Sequence, residues 1–62
     1  MRREFVILRE LVKQHARQTE AGNAERLAIM DRNLRERLAA LPDEGQTEDE
    51  REVVRKARGL GQ

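Results

Sequence analysis

The fold class is decided by residues 24–41, AERLAIMDRNLRERLAAL. Its leucines recur after seven, four and three residues, which places them on one helix face at d, d, a and d positions of a heptad. They are Leu27, Leu34, Leu38 and Leu41. Asp31 occupies the a position between the first two. Pro42 ends the helix, because the residue before a proline is pushed out of the helical region. The stretch therefore predicts an amphipathic helix from Ala24 to about Leu41.

The preceding segment, from about Arg2 to Glu20, has the same helical periodicity. Phe5, Leu8 and Val12 recur at steps of three and four residues, as on one face of a helix. Gly22 suits the position just past a helix end, and Asn23 is a favourable N-cap for the next helix. Two helices joined by so short a turn predict an antiparallel hairpin.

A third, short helix is indicated by local signals after residue 46. Thr47 and Glu50 have the spacing of a capping box, in which each side chain bonds the other residue's backbone N–H. Gly59 is predicted to stop this helix, with Leu60 folding back onto Val54. The helix has few apolar residues, so it either packs on the hairpin or remains a detached appendage.

The chain is therefore predicted to be all-α, with a helical hairpin over residues 1–42 and an acidic loop and short amphipathic helix over residues 43–62. A chain of 62 residues buries only about 60% of its unfolded surface. It has no cysteine for a disulfide, so we expect two hairpins to pair into a dimeric helical bundle. The expected oligomer interface consists of Phe5, Leu8, Val12, Leu27, Leu34, Leu38 and Leu41.

Composition argues against an enzyme. The chain has no serine, cysteine or tyrosine, and its one imidazole is His15. Charged residues make up 40% of the chain and aromatic residues 2%, a composition typical of helical proteins. A two-helix protein also offers no cleft in which to bury a carboxylate and shift its pKa, as acid–base catalysis requires. We predict no catalytic site, no metal site and no cofactor.

Two apolar residues, Val6 and Ile7, lie off the stripe formed by Phe5, Leu8 and Val12. One interpretation is that they form a surface for a protein partner. The other is that residues 3–8 form a short strand, which would change the fold class.

His15 and Asp31 each allow two interpretations. His15 is either a partly covered residue at the edge of the apolar face or a pH-responsive interface residue. Asp31 either turns outward to pair with Arg35 one turn on, or is a core polar residue that specifies register and oligomeric state.

A line of basic residues, Arg9, Lys13 and Arg17, follows i, i+4, i+8 spacing and is here called the basic ridge. With Arg2 and Arg3 assisting, it is a candidate contact for nucleic-acid phosphates. Residues 1–42 carry nine basic and six acidic residues, a net charge of +3, and residues 43–62 carry four and six, a net charge of −2. The acidic tail is therefore a candidate mask for the ridge.

No apolar run in the sequence is long enough for a signal peptide or a membrane span, which favours a cytoplasmic location and no membrane partner. An arginine-rich and lysine-poor composition suggests a bacterial or phage source.

In size and layout, the hairpin with its polar tail resembles the Rop-type RNA-binding proteins, in which two hairpins pair into a four-helix bundle. No RNA-contacting residues can be aligned. A looser resemblance is to ribbon-helix-helix DNA-binding repressors, with residues 3–8 as the strand that pairs across the dimer. Unlike those proteins, the chain has no clear break between this segment and the first helix.

We therefore expect a small regulatory or adaptor protein that acts by protein–protein interaction through a helical bundle. The alternative is a nucleic-acid-binding regulator that uses the basic ridge.

Overall fold

The computed structural model describes residues 1–60, which form three α-helices. They are α1 (Arg3–Ala21), α2 (Ala24–Ala40) and α3 (Glu48–Leu60). No strand occurs among these residues, so the all-α prediction is confirmed. The strand alternative for residues 3–8 is wrong in this structure, because the segment forms the first turns of α1 and the Val6 N–H donates to the Arg2 carbonyl at 3.2 Å.

The turn between α1 and α2 uses the two residues that the sequence marks. Gly22 has a φ of 69°, in the left-handed region that favours glycine, and its N–H donates to the Thr19 carbonyl at 3.2 Å. The Asn23 N–H donates to the Gln18 carbonyl, and the Asn23 side chain accepts a hydrogen bond from the Arg26 N–H at 3.2 Å. Each helix end is therefore closed by local hydrogen bonds.

The end of α2 is set by proline, as predicted. Leu41 has the extended conformation (φ −72°, ψ 141°) that a residue before proline prefers. The helix ends at Ala40, one residue before the predicted bound.

The start of α3 is the predicted capping box. The Glu50 N–H donates to Thr47 Oγ1 at 3.2 Å, and the Thr47 N–H donates to Glu50 Oε1 at 2.9 Å. The predicted stop at Gly59 is wrong, because α3 continues through Gly59 to Leu60. Glycine permits a left-handed ending but does not force one, and as a helical residue Leu60 packs against the core instead of folding back.

All three helices contribute to one core. Its six buried hydrophobic side chains come from α1 (Phe5 and Leu8), α2 (Leu34) and α3 (Val53, Val54 and Ala57). The third helix is therefore a full layer of the bundle and not a detached appendage. Its few apolar residues suffice because they share one face. Within the described part of the chain, no helix has the length and apolar character needed to cross a bilayer.

Candidate binding surfaces

The predicted oligomer interface divides into two groups in the structure. Three of its residues, Phe5, Leu8 and Leu34, are fully buried in the core of the single chain. The other four, Val12, Leu27, Leu38 and Leu41, are half-buried. The buried three share their cluster with the apolar face of α3. A second copy could therefore contact them only if α3 left its place.

The predicted partner residues Val6 and Ile7 are half-buried. The large hydrophobic side chains that the structure leaves exposed are instead Met1 and Ile29. Ile29 has 61% of its surface accessible, although it lies within a helix whose ends are held. The sequence contains the signal for this, since Ile29 falls on the side of α2 opposite the leucine stripe.

Ile29 belongs to a shallow surface depression between α1 and α2, here called the α1–α2 groove. Each helix contributes three residues with i, i+3, i+4 spacing, so each set lies on one helix face. The lining residues are Gln14, Arg17, Gln18, Arg26, Ile29 and Met30. None is acidic, and the surface combines apolar side chains with guanidinium and amide groups.

All three side chains of the basic ridge are exposed on the surface of α1. Its members differ in what they contact, since Lys13 Nζ lies 3.6 Å from Glu10 Oε1 while Arg9 and Arg17 form no ion pair within residues 1–60. In that same range, no ion pair joins the ridge to the acidic residues 43–52. The folded chain thus leaves the ridge unmasked by direct salt bridges.

Arg2 and Arg3, predicted to assist the ridge, are both exposed, but the Arg2 side chain is also held in a structural cluster. The Arg2 backbone N–H and Nε donate to Glu50 Oε2 at 2.9 and 3.1 Å, and one terminal guanidinium nitrogen donates to Oε1 at 3.3 Å. The guanidinium carbon also lies 4.9 Å from the centre of the Phe5 ring, within cation–π range. These contacts connect the starts of α1 and α3, so both helices begin at the same end of the bundle.

The expectation that the chain cannot bury a carboxylate is wrong, because Glu50 is only 1% exposed. The hydrogen bonds from the Arg2 side chain, and then those from the Arg2 and Thr47 backbone, lower the pKa of Glu50 from 4.5 to about 2. The carboxylate is saturated by donors from its own chain. It stabilises the fold as a paired anion and offers no proton for acid–base chemistry near neutral pH.

A second polar contact joins α1 to α2. His15 Nε2 lies 2.8 Å from Asp31 Oδ1, with the His15 side chain largely buried and that of Asp31 38% exposed. The interpretation that Asp31 turns outward to Arg35 is wrong, because the carboxylate faces α1. Thr19 Oγ1 donates to the His15 carbonyl at 2.9 Å and lies 3.5 Å from Nδ1. The pair fixes the alignment of α1 against α2 within one chain.

Among residues 1–60, no group of three or more histidine, cysteine, aspartate or glutamate side chains is arranged to hold a metal ion. No protein-family model, curated protein or solved structure matches this chain. Functional proposals therefore rest on its own surfaces. The α1–α2 groove combines exposed apolar area, at Ile29, with Arg17 and Arg26, which form no ion pair within residues 1–60.

Proposed function

We propose that this chain is a small regulatory or adaptor protein that acts by protein–protein contact through the α1–α2 groove. The observation that supports this most directly is the 61% exposure of Ile29 beside the half-buried Met30. A methionine adapts its shape to a partner, and an exposed isoleucine gains free energy when a partner removes it from water. Grooves between helices are a recurrent docking place for amphipathic segments.

The rest of the bundle supports this role by holding the two groove helices in place. Asn23 caps α2, Gly22 closes α1, and the contact between His15 and Asp31 joins the two helices. A preorganised surface loses less conformational entropy on binding than a segment that must fold first.

Self-association is the competing form of the same proposal. In it, two antiparallel hairpins of α1 and α2 pair into a larger bundle through the leucine stripes. In each copy, α3 covers Phe5, Leu8 and Leu34. It would therefore have to move away from the core so that the hairpin of the other copy could pack in its place. Light scattering after size exclusion, over a hundredfold concentration range, distinguishes the two forms. We expect a monomer, and a dimer that persists on dilution would favour the exchanged bundle.

The groove itself is tested by selection from a display library of random peptides of about 16 residues, which as helices would span about 24 Å. We expect enriched peptides to bind at least about tenfold more weakly to Ile29→Glu than to the wild-type chain. The matched control is Ala39→Glu, which adds the same charge to an exposed position of α2 outside the groove. Equal binding to both variants, or no enrichment at all, would contradict the proposal.

The second candidate is nucleic-acid binding, favoured by the exposure of Arg9 and Arg17 without ion-pair partners in the described part of the chain. It predicts retention on heparin or duplex DNA that falls steeply with salt, because phosphate contacts release counterions. The variant Arg9→Gln/Arg17→Gln should elute earlier, and Arg51→Gln/Arg55→Gln on α3 is the charge-matched control. Equal elution of both variants would exclude the ridge as the contact.

A further inference from the structure

No acidic residue lines the α1–α2 groove, whereas acidic residues of α3, Asp49 and Glu52, line the depression beside Met1 and Arg9. Some cations on other surfaces lie beside carboxylates, as Arg32 does with Glu36 at 3.5 Å and Lys56 with Glu52 at 3.5 Å. Arg17 and Arg26 form no such pair within residues 1–60. They belong to opposite helices, so the groove carries a cation from each of its two walls.

The apolar part of the groove lies on the α2 wall. Ile29 and Met30 follow Arg26 by three and four residues, and therefore share its face of the helix. On α1, Gln14 and Gln18 flank Arg17 with amide groups that both donate and accept hydrogen bonds. A ligand that fills this surface must offer apolar side chains to Ile29 and Met30 and negative charge to the two guanidinium groups.

We infer that the partner is an acidic amphipathic helix of another protein, with carboxylates beside its apolar residues; this rests on the proposed function of the groove. Arginine binds carboxylates in a planar, two-pronged geometry, and complementary charge gives both specificity and a fast association rate. In the helix-in-groove mode, the partner helix presents apolar anchors on one face, and these would contact Ile29 and Met30.

Charge decides against a second copy of the chain on this face. A symmetric dimer through the groove would bring Arg17 and Arg26 of both copies together with no carboxylate in the lining to offset them. The composition of the groove argues against single-stranded nucleic acid. Single-stranded recognition uses aromatic side chains to stack on bases, and the chain's one aromatic residue, Phe5, is buried in the core.

The test uses the peptides selected against the full chain in the display experiment. We expect them to be enriched in aspartate and glutamate, with apolar residues at helical spacing. Their affinity for Arg17→Glu/Arg26→Glu should fall at least about tenfold, and the loss should shrink in high salt. The control Arg51→Glu/Arg55→Glu has the same net charge but places it on α3, and should bind as the wild type does. Circular dichroism confirms that both double variants are folded.

The other outcomes separate this inference from the proposed function. Peptides that depend on Ile29 but are neutral or basic, or that ignore Arg17→Glu/Arg26→Glu, would overturn the acidic partner and leave the groove as a binding site. Peptides that ignore Ile29→Glu would overturn both. Displacement of the selected peptides by a short RNA at equal ionic strength would reassign the groove to phosphates. A dimer abolished by Ile29→Glu would reassign it to a second copy.

Discussion

The contact of α1 with α3 and the contact of α1 with α2 are built differently. The α1–α3 contact is closed by the buried Glu50, which takes donors from Arg2 and Thr47, and by the apolar face of α3. The α1–α2 contact has one polar pair, His15 and Asp31, and beside it an open groove with Ile29 exposed. In the α1–α3 contact, the charged and apolar groups stabilise the fold. In the α1–α2 contact, some charged and apolar groups remain available to a partner.

The largest effect should come from the closed contact. We expect Phe5→Ala to cost about 3–5 kcal/mol, because Phe5 is fully buried and its removal leaves a cavity in the shared core. In a domain this small, such a loss is comparable to the whole free energy of unfolding. The measurement is urea denaturation followed by circular dichroism. Ile29→Ala is the control from the open contact and should stay within about 0.5 kcal/mol of the wild type. Similar losses for the two variants would remove the distinction between the contacts.

Glu50 should make the closed contact sensitive to acid. Its folded pKa of about 2 lies below the unfolded value of 4.5, so the stability that it contributes is fully present above pH 4.5 and is lost as the pH falls toward 2. We expect Glu50→Gln to be less stable than the wild type at pH 7 and to lose less stability between pH 4.5 and 2. Urea denaturation across this range measures both. The control is Glu48→Gln, because Glu48 is an exposed residue in the same helical turn. If Glu48→Gln also lost less stability than the wild type between pH 4.5 and 2, Glu50 would not be the group responsible for the acid sensitivity.

The polar pair of the open contact should have a smaller effect. A double-mutant cycle with His15→Ala and Asp31→Ala is expected to give a coupling free energy of about 1 kcal/mol at neutral pH, typical of a hydrogen bond in a partly exposed site. A second cycle with Arg35→Ala and Asp31→Ala should give no coupling. If the second cycle gave the larger value, Asp31 would face Arg35 in solution and not α1.

Alanine substitutions of two glycines at the helix ends should change stability in opposite directions. Gly59 is helical and nothing lies near the position of an added Cβ, so Gly59→Ala should raise stability by about 0.5–1 kcal/mol. Gly22→Ala should lower it by about 1–2 kcal/mol, because alanine is strained at a φ of +69° even where space is free. Thermal unfolding gives the sign of each change. A loss of stability in Gly59→Ala would mean that α3 ends at Gly59, as the sequence first suggests.

The sequence by itself determined the end of α1, both ends of α2 and the start of α3. The residues that mark these ends act on backbone groups within a few residues along the chain, and in the structure each has its predicted role. They are Gly22, Asn23, Pro42, and the pair of Thr47 and Glu50. Such signals are local, since a cap or a proline needs only its neighbours along the chain. The error at Gly59 has the same origin, because glycine permits a helix end that the chain does not use.

Only the tertiary structure decided what covers each helix. Glu50 meets Arg2 from 48 residues away, and Asp31 meets His15 from 16 residues away. The periodicity of α1 and α2 predicted which faces are apolar, but either α3 or a second copy could satisfy those faces equally well. Packing of α3 buries Phe5, Leu8 and Leu34 within one chain and leaves Ile29 outside. Burial depends on which surfaces meet in space, and the hydrophobic effect, being non-directional, does not encode that choice in any one helix.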